Sequence, residues 1–302
     1  MFDILITSLG LVAIIAVGYI FKKQGKFSLR DKDFLGKVLV EICLPCVIIS
    51  IFEDFTYDPS FFFVCLLGFL LNVVTTFVGY LTSRKNSRNL QAQKMLLSGG
   101  YNIAIFALPF ISSFFSSTAV ITAIIFDMGN AVMVLGGSMA VASALINHEK
   151  GNPIFTILKN IVHSVPCMCY LAMALFQVFG ITLPPIVYQL VDVPARATAF
   201  LGMLMIGIMI DFNFDKNQIK DALSIIGLRY GLSVTVAILC YLYLPMPLEV
   251  RQGLFLGMVS PIATSSIIYT QQLGADPMQV GFVSTLAIFV SIAIMIGAVI
   301  VL

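Results

Sequence analysis

The chain alternates ten apolar blocks, each of roughly 20 residues, with short polar stretches. The blocks fall near 2–21, 34–52, 61–82, 91–111, 118–145, 154–178, 186–211, 219–244, 249–271 and 278–301. Each predicts a membrane-spanning helix, the longer ones tilted or projecting past the hydrocarbon. Two blocks carry residues that a continuous helix resists. Residues 98–110 read SGGYNIAIFALPF. Gly99 and Gly100 each cost about 1 kcal/mol against alanine in a helix, Asn102 brings a polar amide, and Pro109 removes a backbone donor. Residues 259–270 read VSPIATSSIIYT and gather Ser260, Thr264, Ser265 and Ser266 around Pro261. Broken backbone survives at membrane depth only where protein or a water-lined cavity covers it. Both blocks therefore predict interrupted helices around a polar site.

Composition agrees with the pattern. Of 302 residues, 59% are hydrophobic and 11% charged, and the mean hydropathy is +1.02. A soluble chain of this size would carry far more surface charge. No clustered basic face suggests a nucleic-acid partner. No GxxxxGK[ST] motif is present, so transport energy would come from gradients rather than a nucleotide. The six cysteines all lie in apolar blocks, and Cys43-x-x-Cys46 has no second pair to complete a metal site, so they read as small hydrophobes. Neither a metal nor a cofactor is expected. The first block lacks the charged leader and cleavage site of a signal peptide and reads as a retained span.

The basic residues orient the spans. Lys22, Lys23, Lys26, Arg30, Lys32 and Lys37 flank the first loop; Arg84, Lys85, Arg88 and Lys94 flank the third. Lys150 and Lys159 follow the fifth span, and Lys216 and Lys220 the seventh. The opposite side shows only Arg196 and Arg251, and Arg229 lies within the eighth block. The positive-inside rule places odd-numbered loops in the cytoplasm and both termini outside. Residues 148–153 (HEKGNP) divide the chain almost in half. The expected organisation is a first five-helix repeat over 1–148, a cytoplasmic linker over 149–153, and a second repeat over 154–302. Five spans are an odd number, so homologous halves would be inverted, and matched interruptions in two halves point to a transporter's midplane site.

Candidate chemistry concentrates at the breaks. Asp127 is the clearest acid within a span; at a bilayer centre an Asp costs about 2.5–3.5 kcal/mol, so it should face the protein interior. Asn130 lies three residues on, on the same helical face. Either Asp127 responds to a proton or cation beside a cavity, or it is a structural acid bonded to broken backbone. Asn102 can donate and accept, which suits a carboxylate or amide substrate, or it satisfies backbone groups freed by the break. Tyr101 either shapes the pocket or packs. The hydroxyls near Pro261 either repair backbone locally or line a polar path, and the N–H groups of a broken half-helix favour an anion. His163 reads as interfacial or as a proton carrier. Arg229 needs an acidic or carbonyl partner; it would attract an anionic substrate or snorkel. Glu41 lies too near a helix end to be buried, and Leu44-Pro45 should kink the second span.

With both breaks in hand, the sequence resembles the auxin efflux carrier family, which includes bacterial organic-acid permeases and plant auxin carriers. Asn102 with Pro109 is similar to the family's fourth-helix Asn…Gly-x-Pro stretch. Phe126-Asp127-Met128-Gly129-Asn130 is similar to the fifth-helix pattern of prokaryotic members. The run from Ser260 to Ser266 resembles the ninth-helix proline motif, and Ser284-Thr285-Leu286 the Ser/Thr pair opening the tenth helix. The resemblance implies ten helices in two inverted five-helix repeats, with helices 4 and 9 broken and crossing at the substrate site. Helices 1, 2, 6 and 7 would form a scaffold and the others a moving transport domain. The implied substrate is a small organic anion such as malate or malonate, held by Asn102, Tyr101, Pro261, Thr264, Ser265 and Ser266. Asp127, Asn130, Ser284 and Thr285 would line the cavity or couple transport to a proton or sodium ion. Plant carriers have Pro where this chain has Tyr101 and Gln-Gly where it has Ile262-Ala263, so auxin itself is a poor match. A homodimer through the scaffold, surrounded by membrane lipid, is also implied.

The expected function is secondary active transport of an organic anion across a bacterial plasma membrane by elevator-like alternating access. The alternatives are a sodium-coupled symporter of the bile-acid carrier architecture and a sensor built on a transporter fold. An intramembrane hydrolase would need a second facing acid, or a base paired with a serine, and neither is evident.

Overall fold

The structure, a computed structural model, describes residues 2–52, 60–146, 155, 158–159, 162–210 and 219–302. The expected linker at 149–153, and with it the junction of the two halves, lies outside the described residues. Helix occupies each of the ten expected blocks. The first forms α1 (Phe2–Lys23). The second runs through α2 (Leu29–Val38), a π-helical turn (Leu39–Cys43) and α3 (Leu44–Ile51). It starts earlier than the apolar pattern because Ser28 and Asp31 cap it. The Ser28 N–H and hydroxyl donate to Asp31 Oδ2 at 2.6 and 2.8 Å. The helix passes Pro45 by widening into the π turn one residue before α3, so the proline does not end the span.

The third block is α4 (Ser60–Ser83). The fourth is split into α5 (Arg88–Ser98) and, after a break, a π turn (Ile103–Ala107) leading into α6 (Leu108–Phe114). The fifth is α7 (Ser117–Val132), a π turn (Met133–Gly137) and α8 (Ser138–Ile146). Then come α9 (Val165–Val178), α10 (Pro185–Met209) and α11 (Ile219–Tyr243). The ninth block is split into α12 (Leu248–Met258) and α13 (Thr264–Gln272), and α14 (Pro277–Val301) completes the chain. Among the described residues, six helical stretches are long and apolar enough to cross a membrane: Arg30–Ile51, Ser60–Ser83, Ser117–Ser143, Pro185–Met209, Ile219–Tyr243 and Pro277–Val301.

The helices are turned inside out relative to a soluble bundle. On α4, Phe62, Leu66, Leu70, Val74, Phe77 and Leu81 are exposed, while Asn72, Thr75, Thr76 and Ser83 are buried. Apolar side chains meet lipid, and polar ones find partners within the protein, as the hydrocarbon requires. The protein is an α-helical membrane protein.

Packing divides the helices into two groups. α10 packs on α1, α2 and α3, and α9 packs on α3. In the other group α4 packs on α5 and α7, α12 on α7 and α11, and α13 and α14 on each other and on α5. The second half of the broken fourth block, the π turn and α6, runs between the groups and touches both α10 and α7.

Candidate functional site

The two breaks lie against each other. Gly99 leaves α5 in extended backbone and Gly100 turns the chain with φ +68°. That left-handed conformation favours glycine, and a Cβ at Gly100 would overlap the Ser266 hydroxyl. Tyr101 and Ile262 then form an antiparallel bridge. The Asn102 N–H donates to the Pro261 carbonyl at 2.9 Å, and the Ala263 N–H to the Gly100 carbonyl at 3.1 Å. Each broken strand thus supplies some of the hydrogen bonds the other lost.

Side chains supply the rest. Arg229, fully buried, donates from Nη1 to the carbonyls of Leu97, Ser98 and Gly99 at 3.4, 3.1 and 2.8 Å. From Nη2 it donates to Ser260 and Pro261 at 2.9 and 3.0 Å. One guanidinium therefore caps the C-terminal ends of α5 and α12 together, where two helix dipoles converge their negative ends. It stacks 4.7 Å above the Tyr101 ring. The carbonyl partners that the sequence required are observed; of its two expected roles, snorkelling does not fit complete burial, and the side chain does not line the cavity described below.

Asn130 holds the break from the other side. Its Oδ1 accepts from the Tyr101 N–H at 3.0 Å and from Asn72 Nδ2 at 2.7 Å. Its Nδ2 donates to the Tyr101 carbonyl at 2.9 Å and to Asp127 Oδ1 at 2.8 Å. The amide so mimics a facing peptide group, with every donor and acceptor used. Asn72 Oδ1 in turn accepts from the Gly100 N–H at 2.9 Å. Asn72 was not singled out by sequence reading, although an amide in the middle of LLNVVTTF is the same kind of signal as Asn102.

Beside the crossing is a cavity of about 170 Å³. One wall is Tyr101, Asn102, Asp127, Asn130, Thr264 and Ser265; the other includes Val40, Leu44, Ser164, Pro166 and Tyr170. The walls belong to the two helix groups, so the cavity sits in the seam between them. Asn102 is buried, lines the cavity, and caps the π turn without a side-chain hydrogen bond. The start of α13 is likewise uncapped by a side chain, and the hydroxyls of Thr264 and Ser265 have no partner among the described residues. Two helix starts with unclaimed donors therefore face one small space, which favours negative charge. Among the described residues, Asp127 is the only ionisable acid or base in the lining besides tyrosines.

Other expected residues act partly or wholly outside the cavity. The Tyr101 ring is buried against Arg229 and Phe126, and its hydroxyl lies 2.8 Å from Ser233 Oγ. Pro261 contributes its carbonyl to the crossing and Ser266 its bulk beside Gly100, but neither lines the cavity. Ser260 repairs backbone, donating to the Gly257 carbonyl at 2.8 Å. Ser284 and Thr285 do not line the cavity: both are buried in the stretch of α14 that packs among α11, α13 and α5. His163 is exposed, 2.7 Å from the Lys159 carbonyl, and Glu41 is exposed as expected.

No family model matches the chain. It is 22% identical over 237 residues, covering 76% of both chains, to a protein of Methanothermobacter thermautotrophicus described as an uncharacterized transporter.

Proposed function

We propose that this chain is a secondary transporter of the auxin efflux carrier family that carries a small organic anion by elevator-like alternating access. The observation that carries the reading is the pair of uncapped helix starts meeting at Asn102, Thr264 and Ser265 on a cavity in the seam. The packing supports a scaffold of α1, α2, α3, α9 and α10, with the remaining helices as transport domain; the arrangement in two inverted repeats is part of the proposal. A second cavity, of about 350 Å³, lies along the same seam and is lined by Ser50, Ile51, Ser112, Ser117 and Arg196 among others. Between the cavities, Gly202 of α10 admits the carbonyl of Ile105 and the ring of Pro109 so closely that a Cβ would stand 2.8 and 2.9 Å from them. In this reading that contact would separate the two spaces, and sliding of one group past the other would move a ligand from one to the other. The proposal includes a plasma-membrane location, extracytoplasmic termini and a homodimer through the scaffold.

The test is uptake of radiolabelled malate and malonate into proteoliposomes. Asn102→Ala should raise the half-saturating concentration about tenfold or more, the loss expected for a hydrogen bond to a charged group. Saturable uptake unaffected by Asn102→Ala would overturn the assignment of the site. A second reading, sodium-coupled symport, rests on the Asp127 carboxylate in the lining; uptake that requires a sodium gradient would favour it.

A further inference from the structure

We infer that the anion enters this cavity together with one proton, carried on Asp127 Oδ2. The inference rests on the anion reading above and specifies its coupling.

Asp127 presents the same charge sign as the proposed substrate, within one small cavity. Among the described residues, the lining contains no Lys, Arg or His to offset it. Its other titratable members are Tyr101, whose hydroxyl faces Ser233, and Tyr170 of α9. The π turn and α3 contribute Val40 and Leu44, and α13 contributes Thr264 and Ser265. Among the helices packed on α7, α4 brings Cys65 and the Asn72 amide. α12 has Glu249 and Arg251 in its first turn, with Arg251 donating to the Tyr241 carbonyl at 2.7 Å. Among the described residues, the buried cation Arg229 is engaged by five carbonyls and stacks on the Tyr101 ring. An ionised Asp127 would therefore repel a carboxylate with no cation in the described lining between them.

The hydrogen bonds say where a proton would go. Asn130 Nδ2 donates to Oδ1, and the same amide group donates to the Tyr101 carbonyl. A proton taken from solvent onto Oδ2 forms one O–H bond and leaves Oδ1 a carbonyl oxygen that still accepts from Asn130. The clamp on Tyr101 is preserved, and Asp127 changes from a repelling acceptor into a donor for the substrate carboxylate. Protonation and anion binding then favour each other reciprocally. Release of the anion restores the repulsion of the next anion by ionised Asp127 once the proton leaves.

The experiment compares wild type with Asp127→Asn and Asp127→Glu in proteoliposomes, each checked for monodispersity before reconstitution. Malonate binding is measured at about pH 5.5 and about pH 8, each against the same salt background. Uptake is followed with an internal pH indicator under an inward proton gradient. Wild type should bind about tenfold more tightly at the acidic pH and acidify the lumen in step with uptake. Asp127→Asn should bind with an affinity independent of pH, tighter than wild type at the alkaline pH, and lose gradient-driven accumulation. Asp127→Glu should restore both the pH dependence and the coupled acidification. Wild-type uptake without lumen acidification, or a pH dependence that survives in Asp127→Asn, overturns the proton assignment while leaving the anion site standing. Saturable binding of no acid by any folded variant at either pH overturns both.

Discussion

Arg229→Met will cost the protein on the order of 3–5 kcal/mol, the penalty seen when one side of a buried charged network is removed. Methionine fills the volume but donates nothing, so the carbonyls at the ends of α5 and α12 lose a shared cap. Water cannot replace it, because every partner in this region is buried. Arg229→Lys will recover only part of the loss. An ammonium concentrates its donors at one point, whereas the guanidinium reaches Gly99 and Pro261 from two separate nitrogens. The chain has no tryptophan, so unfolding in detergent is best followed by labelling of buried Cys43 with a thiol-reactive dye. Wild type should label at the highest temperature, lysine next and methionine lowest. Equal labelling temperatures for all three would mean that the two helix ends hold together without the guanidinium.

The ordering also explains what could be read from the chain. Gly99, Gly100, Asn102 and Pro109 in an apolar run announce a break, because each residue opposes helix for a local reason. The spacing of Asp127 and Asn130 announces a shared face. Arg229 announces a need for carbonyl or acidic partners. What local chemistry does not contain is which surfaces meet. Either Asn102 or Asn130 could have repaired the backbone; packing of α7 against the break gave that role to Asn130 and left Asn102 facing the cavity. Asn72 became visible only through its bonds to Gly100 and Asn130 across the α4–α7 contact. Ser284 and Thr285 carry the right chemistry but are buried in packing outside the cavity lining.

That α4–α7 contact predicts the second large effect. Gly129→Ala should reduce uptake roughly a hundredfold while the protein still inserts and folds, since about three neutral hydrogen bonds at about 1 kcal/mol each are at stake. A Cβ at Gly129 would overlap the Cys65 carbonyl oxygen and stand 2.8 Å from both the Cys65 carbonyl carbon and the Phe69 nitrogen. These are backbone atoms, so the two helices must part; close approach through small residues is what lets membrane helices adhere. Asn72 and Asn130 sit on the same pair of helices, and their 2.7 Å bond cannot survive a shift of about 1 Å. With it goes the joint grip on Gly100 and Tyr101 that shapes the start of the π turn. The mechanism makes a claim about coupling that a loss of activity alone would not test. If Gly129→Ala acts by separating the two amides, then adding Asn72→Ala to it should cost little more than either change alone. Additive losses in that double-mutant cycle would show that the helix contact and the amide pair act independently, and that the crossing does not depend on how closely α4 and α7 approach.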